Sequence, residues 1–194
     1  MKVIKILLIS IVAITFLPAF TFDNFESGID LDEAVTIARE NNIPLSTNGN
    51  VFFSKNFDWK YLKNHQNYRI FYYKDLLLGA NARVALYFTQ DSKKLYKVQI
   101  NWNGLQNKKE FEEQLYKLMD RKYGERHIEM PSNVGEYVFS RKRVWEIDNN
   151  SILKSKASTA GIELVYLDKK YELDDYRTKK KKKLEIIIKD ANKF

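Results

Sequence analysis

Histidine is the side chain whose ordinary pKa suits acid–base work near neutrality. The 194-residue chain has two, His65 and His127, 62 positions apart, with no carboxylate at ligand-like helical spacing and no H-E-x-x-H. Both read as surface or loop histidines, with a zinc or general-base role as the alternative. The absence of cysteine removes thiolate metal sites, disulfide frameworks and cysteine nucleophiles together. No serine is flanked by glycine on both sides, as a hydrolase elbow requires. The seven glycines form no phosphate-cradling motif. Carboxylate pairs, as in glycosidases, are the enzymatic route left open. Glu110, Glu112 and Glu113 diverge around a helix by about 100° per residue and read as a solvated face. Asp174 and Asp175 precede a lysine run and read as its charge balance. No catalytic residue, metal ligand set or cofactor is therefore expected.

Aromatic and basic residues carry the stronger signal, with 12 Tyr, 12 Phe and 3 Trp. Strand alternation puts Tyr68, Ile70 and Tyr72 on one face and Phe71 and Tyr73 on the other, so both faces are partly apolar. The cover for the second face is either the segment 45–67, through Phe52, Phe53, Phe57, Trp59 and Tyr61, or a partner. Arg141, Lys142 and Arg143 on one strand and Lys154 and Lys156 on the next make a basic group. It reads either as a patch for an anionic glycan, lipid headgroup or acidic protein, or as edge lysines that block aggregation. Tyr73, Arg83, Tyr87, Arg141 and Arg143 are the expected binding positions on an aromatic and basic sheet face.

These positions need elements to hold them. Leu31, Ala34, Val35 and Ala38 recur at helical spacing after Ser27 or Asp30, either of which can cap, which predicts a helix over 31–41 before Pro44. A short strand is read at 51–53 and the rest of 45–67 as irregular. Strands follow at 68–74, 83–90 and 95–102, joined by turns at 79–81 and 91–94. Val84, Leu86 and Phe88 share a face, as do Tyr96, Val98, Ile100 and Trp102. Phe111, Leu115, Leu118 and Met119 predict a second helix over 108–123, between Asn107 and Gly124. Further strands are read at 136–147, 151–156 and 161–168. In the tail, Leu184, Ile187, Ile188 and Ala191 fit a helical stripe, whereas consecutive isoleucines fit a strand, and helix is the reading taken.

Lys2 and Lys5 precede a charge-free apolar run from Ile6 that ends near Pro18 and Ala19, which reads as a secretory leader cut after Ala19. An uncleaved anchor is the alternative, but the run is short of the roughly 20 apolar residues a span needs. The expected divisions are 1–19 as leader and 20–194 as one mature domain, with sub-units 28–104 and 105–170 and a basic tail 171–194. Without the two leader lysines the formal charge falls from +8 to +6, and five cations lie in Lys179–Lys183. That run reads as a solvated segment or a weak attraction to an anionic envelope surface. The nearly neutral remainder and the leader argue against nucleic acid.

Gly28 ahead of the first helix, the strands after it, a second helix closing on Tyr123 and Gly124, lone Trp145, and strands 151–156 and 162–168 carry a resemblance. The chain resembles tandem periplasmic modules of the β-lactamase-inhibitor-protein fold and the BamE-type outer-membrane-assembly lipoprotein, without the lipidated or paired cysteines. The resemblance implies helices packed on one face of antiparallel sheet and a role in binding proteins. The combined expectation is an α+β protein of two helix-plus-three-strand units. It would be exported to the periplasm or beyond, have no membrane-spanning segment after leader removal, and recognise an unidentified protein partner. The alternatives are an anionic envelope polymer or lipid as ligand, and an envelope enzyme acting on a glycan through paired carboxylates.

Overall fold

The four apolar residues at helical spacing, Leu31, Ala34, Val35 and Ala38, are all buried and fix the inner stripe of α1 (Leu31–Glu40). The structure is a computed structural model that describes residues 18–48, 62, 64–134 and 137–191. The expected leader up to residue 17, the strand at 51–53 and the aromatic cover from Phe52 to Tyr61 lie outside the described residues. Asp30 occupies the N-cap but pairs with Lys94 at 2.9 Å rather than bonding the helix amides. Ser27 instead accepts the amide of Phe20 at 3.3 Å and donates its own amide to the Phe20 carbonyl at 2.9 Å, tying down the two-stranded ribbon β1 (Thr21–Phe22) and β2 (Phe25–Glu26).

After a short 3-10 turn at His65–Asn67 come β3 (Ile70–Leu77), β4 (Ala80–Phe88) and β5 (Leu95–Asn103). The β3–β4 turn is only Leu78 and Gly79, with φ of 55° and 75°. Positive φ at both central residues is the geometry that matches strand twist in a two-residue hairpin. Both strands therefore run closer to the turn than the sequence suggests. Ser46 exchanges backbone hydrogen bonds with Tyr72, both 2.7 Å, which covers part of the β3 edge.

Helix α2 (Lys108–Tyr123) has the predicted bounds and ends at Gly124, φ 82°. Four strands then follow, β6 (His127–Val134), β7 (Tyr137–Glu146), β8 (Ser151–Ser158) and β9 (Gly161–Asp168). The sequence reading has three there and no β6. All seven long strands join one antiparallel sheet in the order β3-β4-β5-β9-β8-β7-β6, so the two meanders meet at the β5–β9 pair. The protein is thus of the α+β class.

One face of the sheet is core: Phe71, Val84, Val98, Leu164, Leu153 and Trp145, one from each of six strands, are at most 2% exposed. Helices α1 and α2 lie over this face. Burying such side chains contributes roughly 1.5–3 kcal/mol each. Trp145 donates its indole N–H to Asp120 of α2 at 2.8 Å, and Lys108 donates to the Ser158 carbonyl, so α2 is latched as well as packed.

The third helix, α3 (Lys169–Ala191), is not on that face. Asp168, 3% exposed, caps it by accepting the amides of Lys170 and Tyr171 at 3.0 and 3.2 Å. The helix then passes the β4–β5 turn, where Asp175 accepts the Gln90 amide at 2.7 Å and Lys182 pairs with Asp91. The tail is helical far beyond the stripe at 184–191, because its docking rests on Tyr171, Asp175 and Lys182 rather than on the isoleucines.

Candidate functional site

Strand alternation leaves the second sheet face to the residues between the core positions. The paired strands set Arg83 beside Asn101, Tyr87 beside Lys97, Lys97 beside Leu167, and Lys142 beside Lys156 beside Glu163. The start of α3 lies over part of this face, beside Tyr96 and Lys97 of β5. Two cations there lie over aromatic rings, with the Arg83 guanidinium 4.6 Å from the Tyr72 centroid and Lys97 Nζ 3.5 Å from that of Tyr87.

At the centre a groove of about 330 Å³ opens between the sheet and the start of α3, with Lys97, Lys142, Lys154, Lys156, Glu163 and Glu172 among its walls and Val165 and Leu167 in its floor. Burial lowers the pKa of the Lys97 ammonium, while Glu163 and Glu172 oppose that shift. The Tyr87 hydroxyl donates to Gln99 Oε1 at 2.9 Å, and Gln99 Nε2 donates to Glu163 Oε2 at 2.6 Å. This chain holds Tyr87 upright under the lysine and fixes the Glu163 carboxylate. Burial is the main cause of a raised Tyr87 pKa, so the phenol stays a neutral donor. The arrangement suits an extended acidic ligand: cations for its carboxylates, tyrosine and aliphatic floor for its apolar parts.

A β-bulge sharpens the groove. Phe88 pairs with Leu95 and Tyr87 with Lys97, leaving Tyr96 as the extra residue. Leu95 and Val98 both reach the core, whereas Tyr96 is turned towards α3. Burial, then the charges of Asp175 and Glu172, push its pKa up to about 12. The expectation that Tyr96 shares the face of Val98 is corrected by this extra residue.

The five expected binding positions do not share one surface. Arg83 and Tyr87 lie on the open face as expected. Tyr73 is corrected: it is 2% exposed on the core face, its ring 6.1 Å from that of Phe25. Its hydroxyl has no hydrogen-bond partner among the described residues, and burial raises its pKa far above the ordinary value. Arg143 is also corrected: it shares the parity of Trp145, so it lies on the helix side, 3.7 Å over the Tyr116 ring of α2. Burial pushes Tyr116 up to about 12. The Arg141 backbone pairs with Ala157, and its side chain is outside the described residues, as is that of His127. Lys97, an alternate residue of β5 that faces away from the core, is the site residue the sequence reading missed. Its signal was the cross-strand pairing with Tyr87, which needs the bulge to be known.

The remaining residues with chemical potential are held elsewhere. His65 Nε2 meets Asp32 Oδ1 of α1 at 2.5 Å. Among the described residues no three His, Asp or Glu side chains converge as a metal would require. A second cleft, about 460 Å³, lies between the ribbon and α2, walled by Phe22, Leu78, Leu118, Met119 and Tyr166 with Asp23, Asp75 and Lys122 among its lining residues. Among the described residues no helix is long and apolar enough to cross a membrane. A scan against family models finds no match to the chain, and searches of curated proteins and of solved structures find none either.

Proposed function

We propose that this protein is an exported, non-catalytic binding module that recognises an acidic segment of a protein partner in the cell envelope through the open face of its sheet. The observation that carries the reading is Lys97: a cation half-buried over Tyr87, in the wall of a groove that Lys142, Lys154 and Lys156 also line. Burial works against the charged form of this lysine, and perturbed cations in a concave site are candidates for ligand binding. The secretory leader cut after Ala19 and the kinship in architecture with the β-lactamase-inhibitor and BamE-type modules belong to this proposal. In support, α1 and α2 each precede an antiparallel meander, and the two meanders meet edge to edge.

Poly-glutamate, tested by fluorescence anisotropy, is a direct probe. The parent should bind it, and binding should weaken about tenfold or more in K97E/K154E/K156E while K109E/K117E on α2 leaves it unchanged. Equal binding by the groove variant and the parent overturns the assignment.

A further inference from the structure

Helix α3 docks by its polar side, and its outward side mixes apolar and basic residues. The residues it turns towards the body are Tyr171, Asp175, Thr178 and Lys182, at i, i+4, i+7 and i+11, and these are the least exposed among 171–190. They dock by polar contacts: Asp175 to the Gln90 amide and to Arg69, and Lys182 to Asp91. The opposite side carries Leu173, Tyr176, Leu184, Ile187 and Ile188, which are 46–62% exposed, while Ile186, 61% exposed, falls nearer the docking side. At 100° per residue these five fall within an arc of about 120° centred opposite the docking line, and they extend over about 23 Å of helix. Five large apolar side chains in one solvent-facing line are far more than scattered surface hydrophobics require.

Charge decides what covers the line. Lys169, Arg177, Lys180 and Lys183 fall in or beside the same outward arc, whereas Glu172, Asp174, Glu185 and Asp190 fall outside it. A second copy laid against this arc would bring cations against cations, which disfavours a dimer. An anionic surface with an apolar interior satisfies both features at once, as in helices that lie in a membrane interface. No described helix is long and apolar enough to cross a bilayer, so the fit is to lying on one.

We propose that the outward face of α3 seats the protein on an anionic lipid surface, its five exposed apolar side chains entering the headgroup boundary and its flanking cations pairing with lipid phosphates. The observation is separate from the groove, and either assignment stands without the other.

The test is co-sedimentation of the full chain with vesicles of phosphatidylcholine alone and with one-third phosphatidylglycerol. Parent, L184Q/I187Q/I188Q and K180E/K183E are compared, so that any contribution of the leader is common to all three. Glutamine preserves helix propensity, and circular dichroism checks that α3 survives. The expected result is about tenfold stronger partition onto the anionic vesicles. Each variant should lose about tenfold there, and partition should fall as added salt shortens the Debye length from about 10 to about 3 Å. Equal partition of parent and variants overturns the proposal, as does equal partition onto neutral and anionic vesicles. A parent dimer that the glutamine variant dissociates, without vesicle binding, assigns the stripe to a second copy and also overturns it.

Discussion

Replacing Asp175 by alanine tests how α3 is held. The carboxylate is 3% exposed and accepts the Gln90 amide at 2.7 Å, with Lys179 at 2.5 Å and Arg69 at 3.8 Å. A hydrogen bond from a backbone amide to a buried charged acceptor contributes about 1.5–3 kcal/mol. The two cations are 47% and 38% exposed, so water screens them and each pair adds no more than about 0.5 kcal/mol. The expected loss is therefore about 3 kcal/mol, unless α3 releases locally at lower cost. Urea unfolding at neutral pH reads the loss as a lower midpoint. Tyr96 supplies an independent signal, because burial beside α3 and the Asp175 charge hold its pKa up at about 12. In D175A both causes weaken, and its ionisation in ultraviolet titration should move to lower pH. A change in stability below about 0.5 kcal/mol together with an unmoved Tyr96 would refute the polar docking of α3.

Three further perturbations probe other parts of the account. Tyr73→Phe removes a buried hydroxyl without a described partner and should raise stability by about 1 kcal/mol, read by urea unfolding; a loss of that size would show a missed hydrogen bond. Gly161→Ala should destabilise by more than about 2 kcal/mol, because a Cβ there overlaps the Trp102 carbonyl oxygen where β5 pairs with β9, and a neutral effect contradicts that register. Lys97 titrates below the usual lysine range because burial favours its neutral form. Binding of poly-glutamate should therefore weaken as pH rises through that lowered pKa, before other lysines lose charge. The sign for folding is opposite. The charged form costs stability at neutral pH, and that cost disappears as pH rises from the folded pKa towards 10.5, a gain that K97M should abolish while staying within about 1 kcal/mol of the parent.

What the sequence made legible followed local rules. Helix α2 has its predicted bounds because Asn107 and Gly124 flank an apolar stripe, and α1 ends within one residue of expectation before Pro44. The missed β6 contains Pro131, Ser132 and Asn133, which read as breakers. It is the outermost strand, where an absent amide is tolerated, and its register is irregular from Glu129 to Asn133. The tight β3–β4 turn escaped because Leu78 adopts positive φ without the usual Asn or Asp signal. For the site, Arg141, Lys142 and Arg143 cannot all face one way on a strand, so grouping them mixed two surfaces. Alternation from buried Trp145 would have put Lys142 with Lys154 and Lys156 on the open face. Which side of β3 is core was not decidable locally, since both carry aromatics, and that is why Tyr73 was misplaced. The Lys97–Tyr87 pair depends on a bulge that no local pattern announces.

The central claim is that the open sheet face holds an acidic partner segment. Photo-crosslinking residues placed singly at Tyr87 and Lys154 on that face, and at exposed Lys117 on α2 as control, read contact in the intact envelope. The account predicts one shared adduct from positions 87 and 154, absent from 117 and lost when Lys97 and Lys156 are changed to glutamate. Adducts from 117 alone, or adducts that survive the charge reversal, would contradict it.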